Sequence, residues 1–208
     1  AAEGYLEARR GAGIFVCDVA PISPPQVPAA PAPPPGPARR LHLQPGAADP
    51  EVFPTLPWAR CVARVARSAP KALVFLDDPF GDPALRAEIA AYAGRWRGIT
   101  ASAEQVIVTN GASEALEMAV SLLIRGGSIA LEAPGYSPLF RFVRQRGWTP
   151  RWLRPEPQGY APLPASVTVL TPSHQFPLGG TLPVPARQAF LRQAEENGGW
   201  IIEDDFDS

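Results

Sequence analysis

The proline-rich segment from Ala20 to Pro45 is the feature that most restricts how this chain can fold. Its sequence, APISPPQVPAAPAPPPGPARRLHLQP, is dense in proline and alanine. Because proline has no backbone N–H donor and clashes with the preceding helical turn, the segment is unsuited to helices and sheets. We therefore expect residues 18–48 to form a semi-rigid, polyproline-II-like linker, reaching about 3 Å per extended residue. A ligand for a proline-binding domain is the alternative that composition leaves open.

A short segment precedes this linker. The sequence GYLEARRGAGIFV contains two alternating runs on either side of Gly11-Ala12-Gly13, a pattern that predicts a β-hairpin. These glycines do not form a nucleotide-binding fingerprint, because no strand-then-helix context surrounds them and a third glycine is missing from the required position. Residues 1–17 are too few to fold alone.

Composition excludes several classes of protein. The chain has 208 residues, 46% of them hydrophobic and 19% charged, which predicts a folded protein. A net charge of −1 gives no general argument for binding nucleic acid or an anionic membrane. AAEGYLEARR is too polar for a signal peptide, and the apolar run ALEMAVSLLI is too short to span a membrane. Cys17 and Cys61 form no disulfide framework and suit the reducing cytosol.

Beyond the linker, helical and extended patterns alternate along the chain. An amphipathic helix is predicted in DPALRAEIAAYAGRWRG, with Leu85, Ile89 and Tyr92 on its apolar face. Such alternation is typical of an α/β fold with a doubly wound, mainly parallel sheet, whose ligands bind at the carboxyl ends of the strands. The other predicted helices are ASEALEMAVSLLIR, ended by Gly126-Gly127, and PARQAFLRQAEEN, ended by Gly198. The predicted strands are QVIVT, which should be buried, SIALEAPGY, which includes a turn, SVTVLTP and WIIEDD.

Two of these strand ends carry groups that suit a phosphorylated, flat ligand. In VIVTNGASEAL, the chain enters a helix near Ala112 and Ser113, where free N–H groups and a hydroxyl favour a phosphate. An ordinary capped turn with Ser113 as the capping residue is the alternative, and this pattern taken alone favours it. Tyr136, in LEAPGYSP, follows the next strand and is placed either to stack on a ligand or to pack over the sheet edge.

The acidic ending IIEDDFDS allows three hypotheses. It could bind a metal, act at a nucleotide-hydrolysis site, or face a cationic ring nitrogen. Nucleotide hydrolysis is excluded because Lys71 lies in no phosphate-binding loop. A metal site lacks supporting acids, since Glu132 is the one candidate at the other strand ends. A phosphate site, a stacking tyrosine and an acid at a ring nitrogen are together what pyridoxal 5'-phosphate (PLP) requires, so we favour the third hypothesis.

These motifs carry a specific resemblance. From Asp49 to Ser208 the chain resembles the aminotransferase-like domain of MocR-type transcriptional regulators, a GntR subgroup with a fold-type-I aminotransferase fold. The segment 1–17 resembles the tail and wing of a winged helix-turn-helix, and 18–48 occupies the position of the interdomain linker. The blocks that carry the likeness are DPEVFPTLPWAR, GDPALRAEIAAYAGRWRGITASAEQVIVTNGASEAL, LEAPGY, TPSHQFPLG and WIIEDDFDS.

The resemblance implies a role for each candidate residue. Gly111, Ala112 and Ser113 would bind the cofactor phosphate. Tyr136 would stack on the pyridine ring, and Asp204 would pair with its nitrogen.

Other positions have an alternative role, have no defined role or depart from the family pattern. Asp205 is the alternative partner of the ring nitrogen, while His174 and Gln175 would line the pocket without a defined role; a lone histidine is more often structural than catalytic. Leu76 and Phe206 stand where the family has tyrosines whose hydroxyls contact the cofactor. Each missing hydroxyl would cost about 1 kcal/mol of binding free energy if its partner stayed unpaired, so we expect weakened cofactor affinity.

The resemblance also predicts what this chain lacks. The family's Schiff-base lysine follows the Glu-Asp-Asp strand, whereas Lys71 is the one lysine here, so we expect no catalytic residue and no transamination by these 208 residues. We expect an internal fragment of a cytoplasmic, homodimeric regulator that binds DNA and an amino-acid or PLP-related effector. Arg9 and Arg10 would contact DNA phosphates without reading bases. A genuine aminotransferase and a decayed, non-binding remnant are the alternatives. Because part of its sheet would be uncovered, the chain alone should fold poorly.

Overall fold

The computed structural model describes residues 5–18, 49–73, 78–156 and 159–205. The chain divides into two compact units, residues 1–44 and 45–208. In the first unit, β1 (Leu6–Arg9) pairs antiparallel with β2 (Gly13–Val16). Gly11 and Gly13 adopt the positive φ angles of 79° and 101° that let the chain reverse between the strands. The predicted hairpin is therefore confirmed, whereas nearly all of the predicted linker lies outside the described residues.

The second unit alternates helices and strands. Its helices are α1 (Thr55–Ser68), α2 (Pro83–Arg97), α3 (Ala112–Leu123), α4 (Ser137–Gln145) and α5 (Val184–Asn197). Its strands are β3 (Ser128–Glu132), β4 (Thr149–Leu153), β5 (Pro155–Glu156), β6 (Gly159–Tyr160), β7 (Val167–Leu170) and β8 (Trp200–Glu203). Short 3-10 helices span Pro70–Leu73 and Ala103–Gln105. No helix among the described residues is both long and apolar enough to cross a bilayer.

Four strands form a parallel sheet in the order β4-β3-β7-β8. Successive side chains of a strand point to opposite faces, so Ile129 and Leu131 pack on one face while Ala130 packs on the other. The first face is covered by α3 and α4, which bury Val120 and Val143 against the sheet. The second face is covered by α5 through Phe190. The predicted doubly wound, mainly parallel α/β fold is confirmed.

The ends of the predicted helices are partly confirmed. Gly198 adopts the left-handed conformation at the end of α5, as the sequence predicts. Helix α3 instead ends at Leu123, before Gly126-Gly127. Helices α1 and α4, strand β4 and the two-stranded β5–β6 hairpin are not among the elements predicted from the sequence.

The prediction of a buried strand at QVIVT is wrong. Val106 has extended backbone angles, but no strand in the described ranges pairs with this segment. Val108 N–H donates a 2.9 Å backbone hydrogen bond to Phe80 O. Ile107 is 45% exposed. The apolar pattern gives an extended conformation, but a strand also requires a paired neighbour.

The predicted amphipathic helix at α2 is confirmed, but its apolar face is not buried. Helix α2 forms as expected, and Asp82 caps it by accepting a hydrogen bond from Leu85 N–H. However, Leu85, Ile89 and Tyr92 are all exposed. The buried side chain of α2 is Arg86, which pairs with the carboxylate of Asp78. Among the described residues, α2 packs mainly against the 3-10 helix at 103–105 and not on the sheet.

Candidate cofactor site

The N-terminus of α3 forms one side of the candidate site. Gly111 precedes the helix with φ 115° and ψ 174°, a conformation that favours glycine, and the space beside its Cα is open. The carboxylate of Glu114 accepts a 2.6 Å hydrogen bond from Asn110 N–H, which stabilises the entry into the helix. The first helical N–H that bonds back along the chain belongs to Ala115, at 3.2 Å from Gly111 O. Helix geometry therefore leaves the preceding N–H groups of the first turn available to an anion.

Tyr136 reaches this helix end from the neighbouring strand. It lies directly before α4, after the turn that follows β3, and its side chain is half-buried. Its hydroxyl lies 2.7 Å from Ser113 Oγ, within hydrogen-bonding distance. Its ring makes an edge-on contact with Phe176 at a centroid separation of 6.5 Å. The structure thus brings the predicted phosphate-binding serine and the predicted stacking tyrosine together.

Asp204 lies at the third strand end of the site. Its N–H donates a 2.8 Å hydrogen bond to Leu170 O, which continues the pairing of β8 with β7 and fixes the position of the residue. Its half-buried carboxyl lines a cavity of about 20 Å³ together with Tyr136. Burial raises the pKa of Asp204 above its usual value. A cationic group beside this carboxylate would restore the charged form that burial disfavours.

Asp205 is placed differently from its neighbour. Its carboxylate forms an ion pair with Arg97, the last residue of α2. Successive residues in an extended segment face opposite directions, so both aspartates cannot share one environment. The geometry therefore favours Asp204 over Asp205 as the group that faces a bound ring. Arg97 distinguishes the two aspartates by pairing with Asp205, and no pattern in the sequence identifies it as that partner.

The turn after β7 is organised by Gln175, not by His174. Gln175 is 6% exposed, and its Nε2 donates to Pro134 O at 2.9 Å and to the carboxylate of Glu132 at 3.2 Å. His174 is exposed. Glu132 also accepts hydrogen bonds from the N–H and the hydroxyl of Thr171. This network connects β3, β7 and the turn at the carboxyl ends of the two strands. In the sequence its one indication is a glutamate at the end of an apolar strand.

The two departures from the family pattern, Leu76 and Phe206, lie outside the described residues. Within the described ranges, no group of three or more His, Cys, Asp and Glu residues is arranged to hold a metal ion.

The available groups fit a phosphorylated pyridine. The N-terminus of α3 and Ser113 offer donors to a phosphate, while Asp204 offers an acceptor to a protonated ring nitrogen. The Tyr136 hydroxyl contacts Ser113 Oγ, and Tyr136 also lines the cavity next to Asp204.

The chain belongs to the aminotransferase class I and II family, whose profile matches residues 54–205. Members of this family generally use PLP. Among solved structures, the chain is 30% identical to LysN, the α-aminoadipate aminotransferase of Thermus thermophilus, which was crystallised with N-(5'-phosphopyridoxyl)-L-leucine. The TM-score is 0.62, and the match covers 77% of this chain and 42% of that one.

Curated relatives that match the full chain include transcriptional regulators. This chain is 34% identical to the HTH-type pyridoxine biosynthesis transcriptional regulator PdxR of Corynebacterium glutamicum, over 100% of this chain and 46% of that protein. It is 33% identical to the probable rhizopine catabolism regulatory protein MocR of Rhizobium meliloti, over 100% of this chain and 47% of that protein. The resemblance to MocR-type regulators is thus confirmed. The chain spans just under half the length of these relatives.

Proposed function

We propose that residues 49–205 bind PLP noncovalently as the cofactor-binding part of a MocR-type transcriptional regulator. The observation that carries this proposal is the 2.7 Å contact between Ser113 Oγ and the Tyr136 hydroxyl, because it joins a helix N-terminus to an aromatic ring. When bound, PLP supplies an electron-withdrawing ring and an aldehyde that can react with amines.

Each protein group has a separate task in this proposal. The first-turn N–H groups of α3 and the hydroxyl of Ser113 stabilise the phosphate, where the helix dipole also favours negative charge. Tyr136 holds the ring by packing against its face. The carboxylate of Asp204 keeps a proton on the ring nitrogen, because an adjacent negative charge stabilises the cation.

The regulatory part of the proposal rests on the hairpin and on the similarity to regulators. Strands β1 and β2 form a small exposed hairpin, as the wing of a winged helix-turn-helix does. The guanidinium of Arg9 packs over the Phe15 ring at 5.0 Å and lies 3.3 Å from the Glu7 carboxylate. We infer that Arg9 and Arg10 contact the DNA backbone, which positions a protein without specifying a sequence. We further propose a cytosolic homodimer that senses an amino-acid or PLP-related effector.

An aminotransferase is the second candidate function, favoured by the similarity to the Thermus aminotransferase. It requires an amine that can form a Schiff base with the cofactor. Lys71 is exposed in the 3-10 helix at 70–73, and it does not line the cavity next to Asp204. Turnover of any amino acid with a keto acid by the 208-residue chain would favour this second function.

A calorimetric titration with three ligands tests the cofactor proposal. PLP should bind more tightly than pyridoxal by about tenfold or more, because the phosphate gains charge-assisted hydrogen bonds at α3. Inorganic phosphate should compete weakly with PLP. Equal affinities for PLP and pyridoxal would contradict a phosphate site at α3, and no binding of either would contradict the cofactor assignment.

A further inference from the structure

A second cavity, of about 230 Å³, lies on the face of the sheet that α5 covers. Its walls come from the β5–β6 hairpin and from the segment between β7 and α5. Tyr160 in this cavity belongs to the core cluster around Phe190, whereas Tyr136 packs against the cluster on the other face. The two cavities are therefore distinct, although Glu132 and Thr171 line both.

The hydroxyl of Tyr160 is the first unusual feature of this cavity. Tyr160 is 8% exposed, yet its hydroxyl makes no hydrogen bond to any described residue. Buried tyrosine hydroxyls usually have a partner. This hydroxyl is not completely buried, and Tyr160 lines the cavity together with Glu132. Burial, followed by the negative charge of Glu132, raises the pKa of Tyr160 to about 12, so the group remains a neutral hydroxyl at neutral pH.

Glu132 is the second unusual feature. It is 6% exposed, and each of its partners is a hydrogen-bond donor: Thr171 N–H, the Thr171 hydroxyl and Gln175 Nε2. This arrangement suits an ionised carboxylate, which only accepts hydrogen bonds. Its Oε1 accepts one hydrogen bond, from Thr171 N–H at 3.1 Å, so it retains capacity for another donor.

The charges around the cavity are unbalanced. Glu156 adds a second carboxylate at the rim, and none of the described lining residues is Lys, Arg or His. A buried carboxylate without a cationic partner is costly, and a cation that supplies a further donor offsets this cost. The remaining wall is largely apolar, with Leu178, Leu182 and Pro183 prominent in it.

We propose that this cavity binds a small primary amine in its ammonium form, with the charged head between Glu132 and the Tyr160 hydroxyl. The short aliphatic body of the ligand would lie against Leu178 and Leu182. The Tyr160 hydroxyl accepts a hydrogen bond from the ammonium group, and Glu132 Oε1 accepts another. The volume limits the ligand to a few carbon atoms, below the size of drug-binding pockets.

A ligand-observed NMR titration of the full 208-residue chain with n-butylammonium tests this proposal. Butyrate and 1-butanol, of similar shape but different charge, are the matched probes. Butylammonium should bind in the millimolar range expected of so small a ligand, and at least tenfold more tightly than the other two probes. The titration contains no cofactor, so its result does not depend on whether the chain binds PLP.

Two variants locate the binding. Tyr160→Phe should weaken butylammonium binding about tenfold, because it removes one hydrogen bond to a charged group. Tyr92→Phe, which removes a hydroxyl from an exposed tyrosine outside the cavity, should leave it unchanged. Glu156→Gln, at the rim, should cause a smaller loss and serves as a second test if Tyr160→Phe disturbs the fold. Absence of butylammonium binding, equal binding of the three probes, or unchanged affinity in Tyr160→Phe would overturn the proposal.

Discussion

The hydroxyl groups of Ser113 and Tyr136 lie 2.7 Å apart, although the two residues are separated by 23 positions in the chain. Ser113 belongs to the first turn of α3, and Tyr136 directly precedes α4. Both helices pack on the same face of the sheet, so their N-termini meet beyond the carboxyl ends of the strands. This is where ligands bind in doubly wound α/β proteins.

Replacing Ser113 by alanine tests the phosphate side of the site. The variant loses a phosphate donor and the partner of the Tyr136 hydroxyl, so affinity for PLP should fall about tenfold. The free energy of unfolding should fall by about 1 kcal/mol. Ser68→Ala, at the exposed end of α1, is the control and should change neither quantity. An unchanged PLP affinity in Ser113→Ala, measured by calorimetry, would remove this serine from the site.

Asp204 predicts a specific pH dependence of stability. Because burial raises its pKa above the ordinary value of 3.8, the folded state holds the proton more tightly than the unfolded state does. The contribution of this group to stability is therefore present below pH 3.8 and is lost as the pH rises through the raised pKa. Asp204→Asn cannot ionise, so without cofactor it should be more stable than the wild type at neutral pH, and this advantage should shrink towards about pH 3.

Urea unfolding at several pH values measures this effect. Asp205→Asn is the control, since it breaks the ion pair with Arg97 and should lose about 0.5 kcal/mol at neutral pH. The opposite result would be an Asp204→Asn variant that is less stable than the wild type by the same amount at neutral pH and at about pH 3. That result would show that the wild type is not destabilised at neutral pH by burying an ionised Asp204.

Replacing Glu132 by glutamine tests the hydrogen-bond network at the carboxyl ends of β3 and β7. In either orientation the amide NH₂ would face an N–H donor, Thr171 N–H at the Oε1 position or Gln175 Nε2 at the Oε2 position. We expect a loss of about 2–3 kcal/mol in the free energy of unfolding, measured with urea. Glu203→Gln, at an exposed position of β8, should differ from the wild type by less than about 0.5 kcal/mol.

The exposed apolar faces of α1 and α2 predict self-association. Leu56, Trp58 and Trp96 are 71%, 62% and 73% exposed, and exposed apolar patches promote association. Analytical ultracentrifugation of the 208-residue chain should show mass that increases with concentration. The double variant Trp58→Gln and Trp96→Gln should shift it towards monomer. A single monomeric species with a sharp, cooperative melt would contradict this prediction and the expectation that the chain alone folds poorly.

The sequence predicted those elements whose side-chain pattern and end signals agree. Strands β3, β7 and β8 and helices α3 and α5 follow from apolar runs bounded by glycine, proline or polar residues. Strand β4 is less apparent because Pro150 and Arg151 interrupt its apolar pattern, and a proline is tolerated there because β4 lies at the sheet edge. QVIVT shows the opposite case, because a pattern does not reveal whether a pairing partner exists.

The candidate site was less predictable from the sequence than the fold. The positions of Ser113, Tyr136 and Asp204 after predicted strands indicated them as candidates. In the structure Ser113 contacts Tyr136, and Tyr136 and Asp204 line one cavity. Adjacent aspartates are indistinguishable in sequence, and the contact that separates them, from Asp205 to Arg97, spans more than a hundred residues. The role proposed for Tyr160 depends on a buried tyrosine whose hydroxyl has no hydrogen-bond partner among the described residues, and no sequence pattern reports this.

Titration of PLP into the wild type, Asp204→Asn and Asp205→Asn tests the central claim most directly. Binding should be strongest in the wild type and about tenfold or more weaker in Asp204→Asn, which loses the charge opposite the ring nitrogen. Asp205→Asn should stay within about twofold of the wild type, because its carboxylate faces Arg97. A wild type that does not bind PLP, or a greater loss in Asp205→Asn than in Asp204→Asn, would contradict the account.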